Sequence, residues 1–108
     1  MSDPLRQLKK GVTTLIVLSA LEHGELYGYG LRRHVFERTR GRFSFSEGAL
    51  YPLLHRLRRQ GWIRARGTKV RGRPRRYYTI TPTGRRALTG LRGDWQQLLK
   101  CLADLLRP

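Results

Sequence analysis

Leu5, Leu8, Val12, Leu15, Ile16, Leu18 and Leu21 recur mostly at steps of three and four, the period of an α-helix with a broad buried face. The pattern predicts a first helix that ends near Gly24. A second, shorter helix is expected from about Tyr27 to Thr39, where Leu31 and Val35 stand four apart and Arg32, Arg33 and Arg38 fall mostly on the other side. Its opening, Tyr27-Gly28-Tyr29-Gly30, is poor in helix propensity. The third helix is the clearest of the first half. Ser46 can cap it, Leu50, Leu53, Leu54 and Leu57 follow the i, i+3, i+4, i+7 pattern, and Gly61 stops it. Pro52 falls inside and removes one backbone donor, so the first turns should bend or loosen.

Trp62-Ile63-Arg64-Ala65-Arg66-Gly67 alternates with period two from Ile63 onward and reads as a strand, with Arg76-Tyr77-Tyr78-Thr79-Ile80-Thr81 as its partner. Between them, Thr68 to Arg75 holds Lys69, Arg71, Arg73 and Arg75 around Gly72 and Pro74 with no acid, and is expected to be a basic hairpin loop. Thr81-Pro82 marks a last helix, because threonine caps well and proline suits the first helical position. Along it Leu88, Leu91, Trp95, Leu98, Leu102 and Leu105 keep the a/d spacing of a coiled coil. So long a seam exceeds what a surface helix of one small domain needs, and it is expected to be a dimer interface. Packing on its own domain is the alternative. Gly90 and Gly93 each weaken this helix by roughly 1 kcal/mol relative to alanine, or allow a close approach or room for a guest.

The order helix, helix, helix, strand, basic loop, strand, long helix predicts an α+β fold, mainly α with a small β-hairpin wing. This is the layout of a winged helix-turn-helix with a long C-terminal dimerisation helix. Residues 1–81 are expected to form the winged part and 82–108 the dimerisation helix, within one compact unit.

Composition sharpens this. A chain of 108 residues holds one modest core, with roughly 65% of its unfolded surface buried, which excludes a large enzyme. Twenty-three Lys+Arg against seven Asp+Glu give a formal charge of +16, yet 39% of the residues are hydrophobic, so this is no disordered basic tail. Such a charge on a folded chain calls for a polyanionic partner, nucleic acid being the commonest and a membrane surface the rival. Cys101 is the only cysteine, so there is no intramolecular disulfide, and a reducing, cytoplasmic setting is expected. A buried or inert thiol is the plainer reading of it, a redox cross-link to a partner helix the other. His23, His34 and His55 are dispersed and no Cys/His group has zinc spacing, so neither metal nor cofactor is expected. Lys9-Lys10 followed by Val12 to Leu21 imitates a signal peptide, but Thr13, Thr14 and Ser19 interrupt it, and it falls short of the ~20 residues a membrane span needs.

From Arg38 to Arg92 there are sixteen Lys+Arg and one acid, Glu47, so the third helix and the wing carry nearly all the excess charge. In a winged helix the third helix enters the major groove, which offers Ser46, Glu47, Ala49, Tyr51 and Pro52, with His55, to base edges. Arg56 and Arg59, one turn on, are expected to hold phosphates. A cap for Ser46 and the core for Tyr51 are equal alternatives. Lys69, Arg71, Arg73, Arg75 and Arg76 are the candidate contacts of the wing. Arg73, held extended by Pro74, is the candidate for a narrow A·T-rich minor groove, with a solvated hairpin tip as the alternative. Tyr27 and Gly28 are candidates for phosphate through the tyrosine hydroxyl and the helix N-terminus, against core packing of Tyr27. Tyr77 and Tyr78 alternate, so one should pack inward and the other face the loop or DNA.

Several of these pieces stand in order and spacing like those of the PadR family of bacterial transcriptional regulators. They are Tyr27-Gly28-Tyr29, Ser46-Glu47-Gly48-Ala49-Leu50-Tyr51-Pro52-Leu53-Leu54, Gly61-Trp62-Ile63, Gly72-Arg73-Pro74-Arg75-Arg76-Tyr77-Tyr78 and Thr81-Pro82-Thr83-Gly84. The resemblance spans residues 8 to about 106. It implies a homodimer that binds double-stranded DNA at palindromic operators as a repressor, often released by phenolic or drug-like molecules. Two positions depart from the family, which often has Glu at Gly30 and at Thr83; both changes remove negative charge. In small members an aromatic on the last helix stacks on a flat ligand between subunits, which makes Trp95 the candidate contact for a small aromatic effector. A tryptophan filling a coiled-coil layer is the alternative.

A nucleoid-type architectural protein would suit the charge as well, and predicts little preference among sequences. An enzyme on nucleic acid is disfavoured, since seven scattered acids form no catalytic group. A membrane binder would need an exposed apolar face, and the apolar faces are already assigned to core and dimer.

Overall fold

The computed structural model describes residues 4–108, with side chains from Gly11 onward; Leu5 and Leu8 of the predicted first stripe fall outside the described side chains. Its elements are α1 (Pro4–Ala20), β1 (Leu26–Tyr27), α2 (Gly28–Arg38), α3 (Glu47–Arg59), β2 (Ile63–Val70), β3 (Arg73–Ile80) and α4 (Pro82–Leu106). The strands form one antiparallel sheet in the order β1-β3-β2. This is the predicted α+β class.

The core is built from the predicted stripes. Leu18 and Leu21 of the first stripe, joined by Val17, which that stripe did not include, meet Leu31 and Val35 of α2, Leu50, Leu54 and Leu57 of α3, and Ile63 and Tyr78 of the sheet, while Leu15 and Ile16 are only partly buried against them. α1 stops at Ala20 rather than near Gly24, because the chain turns through Leu21 and Glu22, whose N–H groups reach Val17 and Ser19 carbonyls, to enter β1. β1 itself was not foreseen; it pairs Leu26 with Tyr78 and Tyr27 with Tyr77.

The wing is also longer in strand and shorter in loop than expected. The ladder runs from Ile63↔Ile80 to Val70↔Arg73, so 68–75 is mostly strand. The turn is Arg71-Gly72, with φ +54° and +79°. Two successive positive φ values make a type I′ turn, whose twist matches that of a two-stranded ribbon. Pro74 is tolerated opposite Lys69 because this pair flanks the hydrogen-bonded pair at the turn, so the nitrogen of Pro74 points away from β2. A ribbon beyond the core has nothing to bury, so its sequence carries no apolar alternation to announce the strand.

α4 begins as predicted. Thr81 Oγ1 accepts from Gly84 N at 3.0 Å and donates to the Gly61 carbonyl at 2.7 Å, with Pro82 opening the helix. Gly84 lets the helix approach closely: a Cβ there would lie 2.0 Å from the Trp62 carbonyl oxygen. Leu88 is 2% exposed in its own chain's core, with Ala87 and Leu91 packed beside it. The expectation that Leu88 faces a second copy is therefore corrected: the core of its own domain already covers that side chain. Arg85 donates to the Glu22 carbonyl, and Arg92 binds the Glu22 carboxylate through two hydrogen bonds of 3.1 and 2.6 Å. Trp95 lies against α1, its ring 3.4 Å from where a Cβ on Gly11 would stand.

Beyond Trp95 the helix is bare. Leu98, Leu99, Leu102, Leu105 and Leu106 are 42, 60, 42, 78 and 81% exposed. The radius of gyration is 15.3 Å, against about 13 Å for a compact domain of this length, and the longest dimension is 58 Å. Among the described residues no helix is long and apolar enough to cross a membrane.

Candidate nucleic-acid interface

Ser46 Oγ accepts from Ala49 N at 3.1 Å and starts α3, so capping is one role of this residue. With four leucines turned inward, α3 leaves Ser46, Glu47, Gly48, Ala49, Tyr51, Pro52, His55, Arg58 and Arg59 exposed. Pro52 deprives the Gly48 carbonyl of its helical N–H partner, which adds a backbone acceptor to the exposed turn. Glu47 pairs with Arg32 of α2 at 3.4 Å, while Arg32 Nε donates to the Phe45 carbonyl at 3.1 Å. The one acid of the basic segment thus ties α2 to the start of α3.

Tyr51 is 47% exposed, and its hydroxyl sits over the start of α2, 2.6 Å from where a Cβ on Gly28 would stand. Tyr51 therefore belongs to neither extreme: its ring packs on α2 while one side stays open. Gly28 is buried, which corrects its expected role as a phosphate donor; its place is steric, to make room for Tyr51. Arg56 is corrected too. It turns inward and donates to Thr14 Oγ1 at 2.8 Å, with its Nε buried, and so braces α3 against α1 rather than reaching outward.

Strand alternation sorts the wing residues that the sequence left as one loop. Arg66, Thr68, Val70, Arg73, Arg75 and Tyr77 share one face; Lys69, Pro74 and Arg76 share the other with the core residues Ile63 and Tyr78. Tyr78 is the inward tyrosine. Tyr77 lies half-buried on the outer face, its ring centroid 5.7 Å from that of Tyr27, and Arg75 covers the Tyr27 ring at 4.1 Å. So Tyr27 is packed, yet in an arginine-bearing cluster rather than in the core. Arg66 is held by Glu25 through hydrogen bonds of 3.0 and 2.5 Å. The Arg66 bond holds the Glu25 carboxyl below its ordinary range, against the opposing effect of burial. The Tyr77 hydroxyl likewise keeps Arg75 more firmly protonated.

Arg58, Arg59, Arg64, Lys69, Arg71, Arg73 and Arg76 are exposed and make no ion pair among the described residues. Arg58, Arg59 and Arg64 line one concavity with His55 where α3 meets β2, and Arg71, Arg73 and Arg75 line another at the wing tip. Arg58, Arg64 and Arg66 were missed from the sequence. The inward leucines of α3 already leave Arg58 on the outside, though it was not named as a contact, and an alternation count along β2 would have shown Arg64 as exposed; nothing local signals the pairing of Arg66 with Glu25. Cys101 is exposed on α4, which corrects the expectation of a buried thiol. A cleft of about 560 Å³ between α1, α2 and α4 is floored by Leu15, Ile16 and Val35 and rimmed by His34, Arg38 and Arg92.

The sequence profile of the Transcriptional regulator PadR-like family matches residues 17–90. A transcriptional regulator of Mycobacterium tuberculosis is 34% identical over 96 residues, covering 89% of this chain and 87% of that protein. Among solved structures, a transcriptional regulator from Clostridium thermocellum superposes with a TM-score of 0.86 at 26% identity, over 94% of this chain and 99% of that one. A PadR family transcriptional regulator from Eggerthella lenta gives 0.81 at 29% identity, over 95% and 88%.

Proposed function

The chain belongs to the PadR-like family of transcriptional regulators, which are DNA-binding proteins and not enzymes, and from this premise we propose that it is a homodimeric, ligand-responsive repressor of a palindromic operator. The observation that carries its DNA-binding part is the set of exposed basic side chains on α3 and the wing, Arg58, Arg59, Arg64, Lys69, Arg71, Arg73 and Arg76, beside which the one acid of the segment, Glu47, is already paired with Arg32. α3 reads the major groove with Ser46, Glu47, Ala49, Tyr51, Pro52 and His55. Arg59, Lys69, Arg71, Arg75 and Arg76 hold phosphates, and Arg73 beside the turn enters the minor groove. The exposed Leu98, Leu102 and Leu105, with Leu91 and Trp95 at their edge, pair with a second copy. Residues 1–81 then act as the DNA-binding part and 82–108 as the dimerisation helix. A small aromatic effector against Trp95 would alter the separation of the two α3 helices, which must match ~34 Å of duplex. The regulator works in the cytoplasm, at the nucleoid.

The experiment is binding to the promoter DNA upstream of its own gene against a scrambled duplex of equal length, at two salt concentrations. Retention on the promoter alone at the higher salt is expected. Equal affinity for both, falling together with salt, would favour a non-specific architectural protein instead. Arg73→Ala should weaken binding to A·T-flanked sites more than to G·C-flanked ones; an equal loss on both would rule out minor-groove reading.

A further inference from the structure

One row of side chains crosses the whole sheet on its outer face. Tyr27 of β1 stands opposite Tyr77 of β3, and Tyr77 stands opposite Arg66 of β2. The Arg66 guanidinium lies 4.8 Å from the Tyr77 ring centroid, while Glu25 grips its far side. Arg75, two residues along the same face, closes the other end over Tyr27 and donates to the Tyr77 hydroxyl at 3.4 Å. Glu25, Arg66, Tyr77, Tyr27 and Arg75 therefore form one continuous stack.

Its place in the fold gives it a task. β1 has only two residues, so beyond this row the sheet drops from three strands to a two-stranded ribbon. Two-stranded ribbons twist and bend more readily than wider sheets, so the direction of the wing is decided at the row where the third strand ends. On the body side, Tyr27 immediately precedes α2, and the next residue, Gly28, lies under Tyr51 of α3. The stack thus runs from the DNA-facing helix to the base of the wing.

We propose that this stack aims the wing relative to α3, with Arg66, Glu25, Tyr27 and Tyr77 as positioning residues that touch no DNA and Arg75 as a pre-ordered phosphate contact. Arg66 is occupied by Glu25 and Tyr77, so it neutralises no phosphate. Arg75 uses one donor on Tyr77 and keeps the rest of its five N–H groups for an anion. The proposal rests on the DNA-binding reading and adds residues that a count of wing arginines would misassign.

The number of phosphates contacted is read from the slope of log affinity against log salt, which changes by about 0.9 per phosphate. With a labelled duplex from upstream of the gene, Arg66→Gln and Tyr77→Leu should weaken binding about three- to thirtyfold with the wild-type slope. Arg75→Gln should weaken it and flatten the slope by about 0.9. Glu25→Gln separates the readings by sign: it makes the chain more positive, which by charge alone tightens binding, whereas a lost positioning contact loosens it. Arg66 is 56% exposed, so its substitution leaves the core intact even if Tyr77→Leu does not fold. A flattened slope for Arg66→Gln, unchanged affinity for it, or tighter binding by Glu25→Gln would overturn the proposal while leaving DNA binding in place. Failure of the unaltered protein to bind any duplex would overturn both.

Discussion

The two halves of α4 carry one and the same leucine spacing and meet opposite fates. Leu88 in the first half disappears into the domain, helped by Gly84 against the Trp62 carbonyl and by Arg85 and Arg92 on Glu22. Leu102 and Leu105 in the second half, on the same stripe, stand in the open. A heptad pattern states that a face will be buried; it does not state by what. Past Trp95 the same stripe is exposed in this chain.

The largest effect should separate the halves directly. Leu88→Ala removes a fully buried side chain and should cost about 2–5 kcal/mol in urea unfolding. A loss below about 1 kcal/mol would mean that the first half is not anchored as described. Next, Leu102→Asp with Leu105→Asp should leave the domain folded but move the solution mass from twice 12.6 kDa to 12.6 kDa. An unchanged mass would move the dimer surface elsewhere.

Gly90 and Gly93 sharpen the boundary, since nothing among the described residues lies within 4 Å of a Cβ added at either. Each to alanine should therefore raise stability by up to ~1 kcal/mol. Loss of stability, or of the dimer, at one of them would place a second copy against that turn.

The smallest effect is electrostatic. The Arg92 hydrogen bond lowers the Glu22 pKa, with burial opposing it, so the ionised pair stabilises the fold at neutral pH. That contribution is complete above the ordinary carboxylate range and disappears as pH falls through the lowered folded value. Wild type and Glu22→Gln should differ in unfolding midpoint near neutrality and converge in acid. The carboxylate stays partly exposed, so the difference is small and shrinks with salt.

Much of the architecture was legible because burial writes a period into the chain. Leu50, Leu53, Leu54 and Leu57 gave α3, with Ser46 and Gly61 as its ends, and Thr81-Pro82 gave the start of α4. The wing tip was not legible. Arg71 adopts a φ of +54°, an unusual place for arginine, and a solvent-exposed ribbon has no core against which to alternate. The site was legible in part: the exposed turn of α3 followed from the inward leucines, whereas the inward turn of Arg56 did not, because its partner Thr14 lies forty-two residues away.

By itself the sequence determined the helices, the core ends of the paired strands β2 and β3, the excess of positive charge and its concentration from Arg38 to Arg92, since these depend on near neighbours and on simple counts. Tertiary structure alone decided which arginines are spoken for. Arg56 goes to Thr14, Arg66 to Glu25 and Arg92 to Glu22, and Gly28 goes beneath Tyr51. A guanidinium carries the same charge everywhere, and only a partner brought within about 3 Å by the fold determines whether it braces the protein or remains open to DNA.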